Sequence, residues 1–196
     1  MTFRWIFPLV LATALGACGS TPPTQVFTLS AAEEPDFAAV PDSGSLIYID
    51  PTEVAAYVDR TQMVTRDGAY RLSFHEFAIW SEPLSNLITS ALVDDLALRY
   101  GADQVMPTPI PLYVYPDWRV ELAVQRFDVN ETGTAVIDVR WTLLKGRDED
   151  LASSKREVIQ TQASDPLSPE SRVLALRAGL SELAGRIAAD LDAGGS

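Results

Sequence analysis

The stretch from Trp118 to Leu143 constrains the fold more than any other part of the chain. Trp118, Val120, Leu122 and Val124 occupy alternate positions, Asn130 to Gly133 supplies a turn, and Ala135, Ile137, Val139, Trp141 and Leu143 alternate again. Successive side chains on a strand point to opposite sides, so a period of two over runs this long marks strands with one buried face. The charged segment Lys145 to Leu151 then turns the chain into Ser153 to Gln162, a third strand whose polar character suits a sheet edge. A β-meander is the expected backbone of the sheet.

The other elements are shorter. Val26-Phe27-Thr28-Leu29 reads as a first strand, Ser45 to Asp50 as a strand buried on both faces, and Gln104 to Met106 as another. Pro51 to Tyr57 reads as a short helical turn. Asp67-Gly68 lies between Gln62–Thr65 and Ala69–Ile79 and signals a hairpin, because such a turn needs positive φ. In the second arm, Tyr70, Leu72, Phe74, Ala78 and Trp80 share one face, with Glu76 as the exception.

Two helices complete the pattern. Ser81 or Glu82 can cap the first, with Pro83 in its opening turn and Gly101 at its end. Leu84, Leu87, Ile88, Ala91, Leu92 and Leu96 follow at helical spacing. Ser168-Pro169-Glu170 opens the second, whose apolar stripe is Val173, Leu176, Leu180, Leu183, Ala184, Ile187 and Leu191. The order of strands, helix, meander and terminal helix predicts one α/β domain with a mixed sheet covered by amphipathic helices.

The amino-terminal run Trp5 to Leu15 carries no charge, follows Arg4 and is interrupted by Pro8. It is shorter than the about 20 apolar residues that span a bilayer, and it has the layout of an export signal. It ends at Leu15-Gly16-Ala17-Cys18, which holds the only cysteine of the chain. These four residues resemble the lipobox of bacterial lipoproteins. The resemblance implies cleavage between Ala17 and Cys18, and acylation of Cys18. Each buried CH₂ of an acyl chain adds about 0.8 kcal/mol, so several chains on one cysteine make a stable anchor. Gly19 resembles the outer-membrane class of such proteins.

Charge and residue usage exclude several functions. The net charge of −12 opposes binding to nucleic acid and to anionic lipid, whose recognition needs Lys and Arg. With one histidine, His75, and one cysteine, a zinc site of the usual type has too few ligands. No nucleophile elbow or phosphate-binding glycine loop is present. His75 sits between Phe74 and Glu76 on a strand, where a packed or surface histidine is expected. Glu76 and Glu82 flank a strand end, but a carboxylate pair needs a cleft, and Glu82 suits the positive end of the helix dipole. The expectation is a protein that is not an enzyme and uses no metal or cofactor.

Pro107 to Pro116 reads PTPIPLYVYP, an irregular apolar loop that displays Ile110, Leu112, Tyr113, Val114 and Tyr115 ahead of Trp118. Aromatic side chains on a proline-stiffened loop suit a partner-binding or lipid-facing rim. The alternative is that the loop folds back over the sheet as satellite core.

Several pieces in order resemble the ABC-type transport auxiliary lipoprotein components, the PqiC-like group. They are the lipobox, Val26-Phe27-Thr28-Leu29, Trp80-Ser81-Glu82-Pro83-Leu84 leading into a helix, Trp118 through Phe127, Ile137 to Leu143, and the leucine-rich last helix. Trp80, Glu82, Pro83 and Leu84 are the most specific piece. A tyrosine pair is common before the Thr-Leu of the first strand in this family; Val26-Phe27 replaces it here.

The resemblance implies a three-layer α/β sandwich similar to the anticodon-binding-domain class. It divides the chain into a signal peptide (1–17), a lipidated cysteine and tether (18–25) and the domain (26–194). It also implies an accessory subunit of a lipid transport system, anchored on the periplasmic face of the outer membrane through the lipid on Cys18. Its partners would be an MCE-domain protein with its permease and ATPase, and a ring of copies of the chain is compatible with it. An assembly lipoprotein of barrel or lipopolysaccharide machinery, or a lipid-anchored carboxylate hydrolase, stays open as an alternative.

Overall fold

The computed structural model describes residues 22–30, 44–109 and 114–194. Of the predicted site residues, Ala17, Cys18, Ile110, Leu112 and Tyr113 lie outside them. In chain order the elements are β1 (Gln25–Phe27), β2 (Ile47–Ile49), β3 (Glu53–Val54), β4 (Gln62–Asp67), β5 (Arg71–Trp80), α1 (Leu84–Tyr100), β6 (Val105–Pro107), β7 (Trp118–Asn130), β8 (Thr134–Lys145), β9 (Asp150–Gln162) and α2 (Pro169–Gly194).

The predicted meander is the spine of the sheet. β7 and β8 pair antiparallel with Leu122 opposite Trp141 and Val124 opposite Val139. β9 continues the sheet with Ile159 opposite Ile137 and has no partner on its outer side among the described residues. The other side of β7 is shared along its length by three short parallel strands. β2 takes its start, β3 its middle and β4 its end. β6 lies outside β2, while β5 and then β1 lie outside β4. The sheet is mixed and forks beyond β7.

Two of these strands differ from the sequence reading. Glu53-Val54 forms β3 where a helical turn was expected, because its backbone completes the edge of β7 at Ala123 and Val124. In β5 the register slips: Gln62 faces Ile79 while Met63 faces His75. Ala78 and Trp80 are therefore buried but Phe74 is exposed, and the single apolar face from Tyr70 to Trp80 is broken. The Asp67-Gly68 hairpin forms as predicted, with Gly68 at φ +67°.

Both helical stripes are buried as their spacing predicts. The start of α1 differs in detail: Pro83 occupies the N-cap position and no side chain caps the helix. α2 lies close on the meander. A Cβ at Gly179 would sit 2.8 Å from Ile137 Cδ1, so this approach requires a residue without one. Trp141 Nε1 donates to Asp190 Oδ2 at 2.9 Å, which ties the sheet to the last turns of α2. The helices join where Arg177 grips both oxygens of Asp95, at 2.5 and 2.7 Å. Tyr100 adds a hydroxyl bond to the Ala188 carbonyl at 3.0 Å.

The helices thus share one face of the sheet, the face of Val120, Leu122 and Val124. The opposite face of the meander exposes Glu121, Arg140 and Arg156. Among the described residues the helices and the sheet form two layers, and the charged face offers little apolar area to bury.

Candidate functional site

A cleft of about 470 Å³ opens where β7 begins and β8 turns into β9. Four separate segments build it: Tyr48 to Pro51, Thr108 and Pro109, Val114 to Pro116, and Gly146 to Glu149, with Arg119 reaching in from β7. The meander fixes these parts. The Gly146 N–H donates to the Asp117 carbonyl at 2.9 Å, and the Leu46 N–H donates to Asp117 Oδ2 at 2.8 Å. Asp117 therefore holds three of the segments together.

Arg119 is the charged centre. Its Nε and Nη2 both lie 2.8 Å from Asp50 Oδ2, and its Nη1 pairs with Glu149. The Asp50 contact comes first among the causes that raise the Arg119 pKa. Glu149 is held at φ +54°, a backbone region that costs a residue with a Cβ, and its carboxylate closes on Arg119. The other Asp50 oxygen, Oδ1, is buried and has no hydrogen-bond partner among the described residues.

At the rim, the Arg147 guanidinium stands 4.3 Å from the centroid of the Tyr115 ring, and Tyr115 is 52% exposed. Trp118, expected on the same rim, is instead the buried first residue of β7, against which Gly194 packs. Its place in the alternation of β7, rather than its nearness to the loop, decides its position. The cleft has an aromatic lip, proline walls and a floor of ion-paired charge. Asp50 and Glu149 are both paired with the one guanidinium of Arg119. The arrangement is suited to receiving a side chain or segment of another molecule.

The most specific sequence piece is structural in this fold. Trp80 packs with Phe127 at 6.5 Å between ring centroids, Leu84 is buried, Pro83 begins α1, and Glu82 is exposed. His75 accepts at Nε2 from Arg172 Nη1 at 3.3 Å and lies 3.0 Å from Thr65 Oγ1. Burial first, and the Arg172 charge second, lower its pKa, which favours the neutral ring. No group of three or more His, Cys, Asp or Glu among the described residues could hold a metal ion.

Sequence reasoning missed a second polar centre. Asp128 is fully buried and accepts from the Tyr57 hydroxyl at 2.8 Å, from Arg66 Nη2 at 3.0 Å and from Arg126 Nε at 2.9 Å. Burial, then the Asp128 bond, pushes the Tyr57 pKa up to about 12. The available signal was a phase change: apolar residues fall on even positions to Val124 and on Phe127 and Val129 after it. A bulge between Val124 and Arg126 makes that change and leaves Asp128 on the face away from the helices.

The family model of the ABC-type transport auxiliary lipoprotein component matches residues 27–188. The chain belongs to that family. It is similar to a crystal structure of an uncharacterised protein, at 16% identity and a TM-score of 0.71, covering 87% of this chain and 99% of the other. It is also similar to a crystal structure of a protein from Xanthomonas campestris, at 15% identity and a TM-score of 0.66, covering 84% and 92%. At these identities the likeness is one of fold. No curated protein matches the chain. Membership in an auxiliary lipoprotein family accords with a non-enzymatic role, attachment to the cell envelope and association with an ABC transport system.

Proposed function

We propose that this chain is the lipid-anchored accessory subunit of an MCE-type lipid transport system. Acylated Cys18 holds it to the periplasmic face of the outer membrane, and residues 1–17 are removed. Its domain docks the periplasm-spanning MCE protein, which works with an inner-membrane permease and ATPase. The observation that carries this reading is the family match over 27–188. The cleft supports it. Tyr115 and Arg147 form an exposed aromatic and cationic lip of the kind that dominates binding surfaces.

Photo-crosslinking in living cells tests the reading. A photoreactive amino acid in place of Tyr115 is expected to form an adduct with a component of the transport system, identified by mass spectrometry. Adducts with barrel-assembly or lipopolysaccharide machinery instead, or the same products as from a probe at exposed Leu174, would contradict it.

A further inference from the structure

The two ends of the domain differ, and the chain enters at one of them. β1 runs parallel to β5 with Gln25 opposite Ala78. Pro22 and Pro23 therefore lie toward the His75 side of β5, where they border His75, Glu76 and Pro169, the first residue of α2. The tip of the β4–β5 hairpin continues in the same direction. So does the β7–β8 turn, where a Cβ at Gly133 would touch Pro166. The cleft lies at the other end, beside Trp118 and the last residue of α2, Gly194. α2 has 26 residues and joins the two ends. At 1.5 Å per residue it holds them about 38 Å apart.

The entry end carries two of the most exposed apolar side chains among the described residues. Tyr70, at the hairpin tip, is 99% exposed. Leu167, two residues before α2, is 82% exposed. Neither has a packing role that accounts for it. Only four residue steps separate Cys18 from Pro22, a span of about 14 Å at full extension. If Cys18 is acylated, as the proposed function requires, the entry end cannot leave the bilayer surface by more than that distance.

We propose that this end of the domain rests on the bilayer, with Tyr70 and Leu167 in the interfacial layer. The inference depends on the anchoring of Cys18 set out above. Tyrosine suits the interface because its ring is apolar and its hydroxyl stays wet. The nearby charges select the lipid. Glu131, Asp165 and Glu170 stand exposed at this end, Arg172 beside Asp165 is buried, and the Arg71 charge is matched by Asp67. A zwitterionic surface accepts such an end, whereas an anionic one repels it. The consequence is an upright domain whose Tyr115–Arg147 cleft faces away from the membrane, within reach of a protein that crosses the periplasm.

The test uses the full lipidated protein in vesicles of phosphatidylethanolamine and phosphatidylcholine. Once Cys18 is acylated, Tyr70→Cys, Leu167→Cys and Tyr115→Cys each present a single free thiol for an environment-sensitive fluorophore. The intact mass first reports the acyl chains. The expected result is an acylated protein whose labels at positions 70 and 167 shift to the blue and are quenched by nitroxide lipid, while the label at 115 does neither. An acylated protein in which labels 70 and 167 are quenched no more than label 115 would overturn the orientation while leaving the anchor intact. A mass without acyl chains would overturn the anchor itself, and the orientation with it.

Discussion

Arg66 directs its Nε and Nη2 at one oxygen of Asp128, at 3.2 and 3.0 Å, across the join between β4 and β7. β4 pairs with β7 through only Thr65 and Arg66, so this contact strengthens a short seam of the forked sheet. Removing one partner of a buried pair leaves the other uncompensated, at a cost of several kcal/mol. Asp128→Ala strands the Tyr57 hydroxyl and two guanidinium groups. It is expected to lower stability by about 3 kcal/mol in urea denaturation. A loss below about 1 kcal/mol would show that solvent reaches the site and replaces the carboxylate.

Gly179 lets α2 approach β8 and β9. A Cβ there would meet Ile137 Cδ1 at 2.8 Å and Ile159 Cγ2 at 3.7 Å. Gly179→Val is expected to destabilise the domain by about 1–3 kcal/mol through overpacking, despite the poor helix propensity of glycine. Adding Ile137→Ala should restore part of that loss, because the two changes share one space. Strictly additive melting shifts in the double mutant would contradict the close approach.

Trp118 belongs to the core rather than the rim of the cleft. Trp118→Ala is expected to cost about 3–5 kcal/mol, as for other buried aromatic truncations. Tyr115→Ala, at a half-exposed site, should change stability by less than about 0.5 kcal/mol. Equal losses in the two variants would remove the distinction drawn between the lip and the core.

His75 provides a pH handle on folding. Its folded-state pKa is lowered by burial and by Arg172, so the unfolded chain takes up the proton first as pH falls past about 6.5. The associated stability is therefore present above that pH and lost as pH falls through the folded-state value. The urea midpoint should drop across this window, and His75→Gln should drop less over the same range. Superimposable pH profiles for the two proteins would place the effect on other groups.

The parts legible in the sequence are those governed by a single period. All seven predicted stripe residues of α2, from Val173 to Leu191, are buried, and so are the alternating residues of β7 and β8. These patterns survive because each element packs on one face along its whole length. β5 does not, and its register slip at Met63 sends Phe74 to the surface. The bulge after Val124 likewise hides Asp128 from any simple alternation. The cleft was legible only at its lip. Tyr115 stood out as an aromatic beside prolines, but Asp50, Arg119 and Glu149 come from segments far apart in sequence. Only the sheet brings them together.

Affinity purification from detergent-solubilised envelopes tests the central claim most directly. The bait is the full chain tagged at its carboxyl end, with Cys18→Ser and a Tyr115→Ala, Arg147→Ala double variant alongside. The account predicts enrichment of an MCE-domain protein with a permease and ATPase. Recovery should be reduced in Cys18→Ser and lost in the double variant, which still melts as the parent does. Recovery of other outer-membrane machinery, or equal recovery of the transporter by all three proteins, would contradict it.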